Sequence, residues 1–313
     1  MNFFISEWKE QERFDGELLI TNVSKGVSQN GAPYLSITLQ DKTGTIEAKK
    51  WDANENDMNV AKIGNVIHVL GDTYEYRGSL QLKVLALNAI DQDSVDYNRF
   101  CISAPISTEE LVKKFNKYLS SIQNEDCKKI INYIMERHYD SFIIYPAAVK
   151  NHHEYASGLL YHTVSMLDLA SSIHNLYKDC DRDLLLTGVI LHDVGKTIEL
   201  SGPIAAKYTL EGKLLGHISI MVSEIRYVAE KHNIHSEVPI LLEHMILSHH
   251  GEQEFGSPVP PLTREAFLLH AVDDLDAKMT MINKALDTVN EGEFTTRIAS
   301  LDGRAFYKHK KVQ

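Results

Sequence analysis

Apolar and polar positions alternate through the first part of the chain and give way to helical spacing in the second. Leu35, Ile37 and Leu39, and again Leu80, Leu82 and Val84, recur at every second position. That is the period of a strand with one face buried. Runs rich in Val, Ile, Leu, Thr and Tyr predict five strands, at 17–24, 34–40, 45–51, 66–74 and 79–90. Turn residues separate them at Asn30-Gly31, Lys42-Thr43-Gly44 and Arg77-Gly78. The stretch 52–62, between the third and fourth strands, leaves room for a short helix. Five strands with a helix in that place match the OB-fold, a small β-barrel that often binds single strands.

From Asp91 to Pro105 the periodicity fades. The expected organisation is a barrel domain over 1–92, a linker over 93–106 and a helical domain over 107–313. Ser107-x-x-Glu110 is a capping-box pattern that opens a helix over 111–122. Helical spacing continues at about 125–139, 157–177, 183–192, 217–232, 237–249 and 263–289. Pro258-Val259-Pro260-Pro261 interrupts the last two. The fold class is therefore multidomain α and β: an N-terminal five-stranded OB-fold β-barrel and a C-terminal all-α domain.

Composition sharpens this picture modestly. A chain of 313 residues can hold two domains and a sizeable core. The formal net charge of −11 argues against coating nucleic acid by bulk electrostatics, though a local basic groove is compatible with it. Cys101, Cys127 and Cys180 lack CxxC spacing and read as free thiols of a reducing compartment. The start MNFFISEWKEQERF reads as neither signal peptide nor anchor, and no stretch has membrane-spanning length, so a cytoplasmic protein is expected. The basic, aromatic tail from Phe306 to Lys311 reads as a solvated end, with a phosphate contact as the alternative.

The chemistry lies in the helical half. His162, the pair His192-Asp193, His217, the pair His249-His250, and Asp273 stand in or at the ends of apolar runs. Buried ionisable groups are costly unless paired or bound to metal. Imidazole and carboxylate together suit Mn, Fe, Co, Zn or Mg. Seven such residues exceed what one tetrahedral ion needs, so a two-metal phosphoryl-transfer centre is the leading reading. Adjacent helical residues point roughly 100° apart, so His192 and Asp193 can grip one ion only from a helix end. Alternatively, Asp193 bridges two ions with its two oxygens. Gly195 is expected to terminate that helix. Lys196 either neutralises a phosphate oxygen or is a surface lysine.

The order His…His-Asp…His…His-His…Asp resembles the HD-domain superfamily of metal-dependent phosphohydrolases. The resemblance implies that His162, His192, Asp193 and Asp273 hold one metal. It makes His217, His249 and His250 the extra ligands of two-metal members. Asp276, the second aspartate of a D-x-x-D-A pattern, would support a ligand rather than be one. His153, within Asn151-His152-His153-Glu154, is a candidate substrate contact. The segment from His249 to Pro258 has the length of the loop in cyclic-dinucleotide phosphodiesterases but lacks their Gly-Tyr-Pro ending.

An OB domain ahead of an HD domain of this size resembles the YhaM family of 3′→5′ exoribonucleases over nearly the whole chain. Asp41-Lys42-Thr43-Gly44, Gly158-Leu159-Leu160-Tyr161-His162-Thr163 and His192-Asp193-Val194-Gly195-Lys196 carry the match. So do Ser248-His249-His250-Gly251 and Asp273-Asp274-Leu275-Asp276-Ala277-Lys278. This resemblance implies metal-dependent hydrolysis of single-stranded RNA, and in some members single-stranded DNA, to 5′-mononucleotides. Manganese is the expected ion, with Co, Fe or Mg as alternatives; Asp193 and Lys196 would be the catalytic groups. The barrel would hold upstream nucleotides by stacking on aromatic side chains flanked by cations. Tyr34, Tyr74 and Tyr76 are the candidate platforms, with Lys25, Lys49, Lys50, Arg77 and Lys83 nearby, while Trp51 is expected in the core. Oligomeric state stays open, a homo-oligomer included. Two rival readings are a nucleotide or cyclic-nucleotide phosphohydrolase and a DNA-element-binding replication factor.

Overall fold

A computed structural model describes residues 4–28, 30–76, 78–95, 99–100, 106–147, 157–203 and 206–310. Arg77, Cys101, His153 and Lys311 lie outside the described residues. The chain divides into two compact units, one built on Met1–Ser103 and the other on Ala104–Pro203 and Lys207–Gln313.

The first unit is a closed barrel of β1 (Arg13–Val27), β2 (Pro33–Asp41), β3 (Gly44–Trp51), β4 (Val66–Tyr76) and β5 (Ser79–Ala89), in the order β1-β2-β3-β5-β4. Every pairing is antiparallel except β3 with β5. This is the OB-fold. The expected alternation holds: Leu18, Ile20, Leu35, Ile37, Leu39, Ile46, Ala48, Ile67, Val69, Leu82 and Val84 fill the interior. The strands run longer than the apolar runs suggest, because their exposed ends carry polar residues that still join the ladder. At the β2–β3 turn, Asp41 is buried and accepts from the backbone of Ile5 and Thr43, both at 2.7 Å. The helix expected between β3 and β4 is α1 (Glu55–Val60). It opens on a reciprocal capping box between Asn54 and Asp57.

The second unit is helical: α2 (Thr108–Ser121), α3 (Glu125–Phe142), α4 (Gly158–His174), α5 (Arg182–Leu191), α6 (Lys196–Glu199), α7 (Leu210–Leu214), α8 (Gly216–Lys231), α9 (Val238–Ser248) and α10 (Arg264–Leu286). Ser107 caps α2 by accepting from the Glu110 amide, as its motif requires. Leu184 through Leu191 of α5 are all buried. A helix apolar all round belongs at the centre of a core, and α5 packs against α3, α4, α9 and α10. Helices α6 and α7 were not expected; at four and five residues neither is long enough to show a helical period.

Beyond α10 the chain, as far as Lys310, is only in part the solvated end its sequence suggests, with His309 and Lys310 exposed. It folds back as a loose hairpin, with backbone bridges Phe294–Tyr307 and Ile298–Arg304. Lys308 Nζ donates to the carbonyls of Leu286 and Val289, each at 2.9 Å. The end of α10 has carbonyls without intrahelical partners, and a lysine there satisfies them. That requirement explains part of the basic tail without phosphate.

Candidate metal centre and strand-binding face

Five helices, α4, α5, α8, α9 and α10, bring the predicted side chains together. His162 comes from α4, while His192 and Asp193 stand at the C-terminal end of α5. His217 lies at the start of α8, His249 and His250 follow the last turn of α9, and Asp273 is on α10. His162, His192, Asp193 and His249 are almost wholly buried.

Each of four imidazoles is held from behind through Nδ1. His192 Nδ1 donates to the Val189 carbonyl at 2.8 Å, and His249 Nδ1 to that of Ile246 at 2.7 Å. His162 Nδ1 meets Asp276 Oδ2 at 2.7 Å, and His217 Nδ1 meets Glu199 Oε1 at 3.1 Å. Those partners only accept, so in the neutral ring Nδ1 carries the proton and the Nε2 lone pair faces inward. Asp276 also accepts from Ser165 Oγ, so it supports His162, as its place in the sequence motif suggested.

The inward atoms form two groups. His162, His192 and Asp193 bring ligand atoms within 4.8 Å of one another, and so do His217, His249 and His250. Asp193 stands between them. Its Oδ2 is 3.3 Å from His192 Nε2 and 3.9 Å from His162 Nε2, while its Oδ1 is 3.4 Å from His217 Nε2 and 4.0 Å from His249 Nε2. Asp273 Oδ1 lies 3.2 Å from His162 Nε2. Asp193 Oδ1, His217 Nε2 and His249 Nε2 are buried and make no hydrogen bond among the described residues. Three convergent buried lone-pair atoms without donors would cost several kcal/mol together; a divalent cation satisfies all of them. The donor set therefore fits a metal.

The electrostatics agree. Burial would raise the Asp193 carboxyl, but Lys196 and then His192 outweigh it and hold the group well below the usual carboxylate range. Asp273 is likewise held down against burial, chiefly by His162. Burial pushes His249 and His250 below the ordinary histidine value, toward the neutral form a metal requires. His162 goes the other way: burial opposes its charge, yet Asp273 and Asp276 push it up to about 10.

Lys196 is not a surface lysine. Its Nζ donates to Asp193 Oδ2 at 2.7 Å. Gly195 needs a different explanation from the one its sequence suggests. Its φ of −55° is ordinary right-handed backbone, so it does not end α5 by a left-handed turn. A Cβ there would lie 2.4 Å from the His217 carbonyl oxygen; Gly195 lets the α8 backbone approach. Two supporting residues were missed. Glu199 holds His217, and His270 donates from Nδ1 to the His249 carbonyl at 2.9 Å. The cluster opens into a cavity of about 560 Å³, also lined by Tyr208, Lys278, Met281 and Arg304.

On the barrel, the outward face of β2–β3 carries Tyr34, Ser36, Lys49 and Trp51. Trp51 is 44% exposed, contrary to expectation. Ile46 and Ala48 point inward on β3, so Trp51 has the opposite parity. It pairs with Tyr34 across the strands, ring centroids 5.0 Å apart. Lys49 Nζ sits 5.6 Å from the Tyr34 ring. Lys50 has the inward parity and lies 3.5 Å from Asp57, which removes it from the strand-binding candidates. Tyr74 and Tyr76 stand on β4, which pairs with β1 and β5 and not with the β2–β3 ladder that carries Tyr34; Tyr74 donates to Gln81 at 2.8 Å.

The HD domain matches residues 159–278, and an OB-fold nucleic acid binding domain matches 19–90. The chain is 50% identical over 305 residues to the 3′-5′ exoribonuclease YhaM of Geobacillus sp. (strain WCH70), covering 97% of this chain and 94% of that one. The chain belongs to the YhaM family. Among solved structures, it is similar to the second OB-fold domain of replication protein A from Methanococcus maripaludis. That match has 23% identity and a TM-score of 0.25, over 31% of this chain and all of that one. It is also similar to a replication protein A heterotrimer bound to ssDNA, with 20% identity and a TM-score of 0.22, over 29% of this chain and 63% of that one. As a member of the YhaM family the protein is a metal-dependent hydrolase with a nucleic-acid-binding barrel. Among the described residues no helix is long and apolar enough to cross a membrane.

Proposed function

We propose that the protein shortens single-stranded RNA from its 3′ end, releasing 5′-mononucleotides. The 107–313 domain would perform the chemistry and the 1–92 domain would hold the strand. The observation that carries this reading is the position of Asp193, each of whose oxygens faces a different group of imidazoles. That placement favours two ions sharing Asp193. His162, His192 and Asp273 would complete one site, and His217, His249 and His250 the other. A donor set of imidazole and carboxylate without thiolate suits manganese, with Co, Fe or Mg as alternatives. Divalent ions there would supply Lewis acidity, polarising phosphoryl oxygens and acidifying water at the scissile phosphate.

The protein's own contribution is preorganisation. Four of the five imidazoles are locked through Nδ1 before substrate arrives, so little reorientation is needed during reaction. The Asp193 bond aims the Lys196 ammonium at the cluster, where it would offset negative charge developing on the phosphate. Tyr34, Trp51 and Lys49 together offer an aromatic face with a cation beside it, the chemistry that grips unpaired bases. Cys127 and Cys180 are free and buried, which fits a cytoplasmic protein. The name of the 50%-identical relative supports the same activity.

A time course on 5′-labelled single-stranded RNA with Mn²⁺, run beside Asp193→Ala, tests this. A ladder shortening from the 3′ end with the wild type alone is expected. An oligonucleotide left intact but retarded on a gel would instead identify a binding factor. One neither cut nor bound would shift attention to nucleotide substrates.

A further inference from the structure

The wall of the catalytic cavity includes residues beyond the HD-domain match, which ends at 278. Met281, Ser300, Leu301, Asp302 and Arg304 line the same cavity as Asp193, His217 and Asp273. All but Met281 belong to the tip of the C-terminal hairpin, and the tip is fixed rather than trailing. Leu301 is buried, Ser300 Oγ meets Met281 Sδ at 3.2 Å, and Asp302 and Gly303 turn the chain with φ of 56° and 67°. At its base, Lys308 ties the hairpin to the end of α10.

Arg304 is the cation that this tip presents. Its Nε donates to the Leu301 carbonyl at 3.1 Å and its Nη2 to Asp302 Oδ2 at 2.7 Å. These two bonds orient the guanidinium while 60% of the side chain stays exposed. An exposed ion pair of this kind contributes little on its own, so Asp302 can share the arginine with an incoming anion at small cost. A guanidinium fork matches a phosphate with two parallel hydrogen bonds. The cavity volume falls within the range, roughly 300–1,000 Å³, of sites that enclose a small organic ligand.

We infer that Arg304, carried on the C-terminal hairpin, is a substrate-positioning residue that binds the phosphodiester on the 5′ side of the scissile one. This rests on the exonuclease reading above. An arginine bond to phosphate made equally in ground and transition states changes KM rather than kcat.

The test compares wild type, Arg304→Ala and Arg304→Lys on two substrates with Mn²⁺. One is a single-stranded RNA oligonucleotide; the other is thymidine 5′-(p-nitrophenyl phosphate), which has a scissile phosphodiester and no upstream phosphate. Arg304→Ala should raise KM for the oligonucleotide roughly tenfold or more, with kcat and hydrolysis of the nitrophenyl ester within about twofold of wild type. Arg304→Lys, which keeps the charge without the fork, should fall between. Equal losses on both substrates, or no loss on either, would overturn the assignment; an unchanged Tm would show that a loss is not unfolding. If the wild type itself cleaves the ester but not the RNA, the exonuclease reading fails, and the inference fails with it for a distinguishable reason.

Discussion

Glu199 Oε1 lies 3.1 Å from the backbone nitrogen of His217 and 3.1 Å from its Nδ1. One carboxylate oxygen thus fixes both the first turn of α8 and the ring at its start. Burial would raise the Glu199 carboxyl, but His217 outweighs it and keeps the group ionised. The His217 Nε2, buried and without a hydrogen-bond partner among the described residues, is aimed at Asp193 as a result.

Removing that support should weaken metal binding without removing a ligand. Glu199→Ala is expected to lower divalent-ion affinity about 10- to 100-fold, read as a shift in the Mn²⁺ concentration giving half-maximal activity and, independently, by calorimetric titration. Glu199→Gln keeps an accepting oxygen and should lose less. A Glu199→Ala protein with wild-type affinity would show that His217 is not held through this bond.

Most of the centre was legible because its residues are chemically out of place: histidine and aspartate at the ends of apolar runs need a reason to be buried. Their partners lacked that signature. Glu199 is one acidic residue among many, 18 positions from His217, and only the fold of α6, α7 and the start of α8 makes the two neighbours. Hydrophobicity alone puts Trp51 in the core, whereas the strand parity set by Ile46 and Ala48 turns it outward. Gly195 was read as a helix terminator, which is a local property, when its role is a contact made by the distant His217 backbone. What the sequence could not show were relationships between segments.

Gly195→Ala should destabilise the helical unit by about 1–3 kcal/mol, the usual cost of forcing volume into a packed site. The added carbon would press on the His217 carbonyl, so metal affinity should fall as well. Gly202→Ala is the control, since a Cβ there meets nothing within 4 Å among the described residues; its effect should stay below about 0.5 kcal/mol. Urea unfolding of both variants, followed by circular dichroism, decides the matter. Equal midpoints would refute the close-approach argument.

His138 supplies a pH dependence away from the metal residues. Thr197 Oγ1 donates to the Val194 carbonyl at 2.9 Å, so it accepts from His138 Nδ1 at 3.0 Å. That leaves Nε2 buried without a partner among the described residues. Burial pushes the His138 pKa down; Glu224 counters weakly and Arg137 reinforces the shift. With the folded-state value below the unfolded value of about 6.5, the unfolded chain binds the extra proton as acid is added. The stability associated with His138 is therefore intact above about pH 6.5 and declines as pH falls toward the folded-state value. The difference in urea midpoint between wild type and His138→Leu should be constant from pH 8 to 7 and shift in favour of the variant toward pH 5.5. A difference that does not vary with pH would contradict the assignment.

Trp51 offers a direct test of the strand-binding face proposed on the barrel. The protein has two tryptophans, and only one is exposed: Trp8 is buried, whereas Trp51 is 44% exposed beside Tyr34. If bases stack there, titrating a single-stranded oligonucleotide should quench the tryptophan emission, and Trp51→Phe should abolish that change while leaving an aromatic surface. Stacking contributes about 1–3 kcal/mol per base, so Trp51→Ala should weaken binding by roughly 5- to 150-fold. The salt dependence should barely move, because no phosphate contact is removed. Lys49→Ala should also weaken binding, but with a shallower salt slope. The titrations are best made with the Asp193→Ala background, so that the strand survives them. Quenching that persists in Trp51→Phe would place the bound strand elsewhere on the barrel, with the β4 tyrosines Tyr74 and Tyr76 as the next face to substitute.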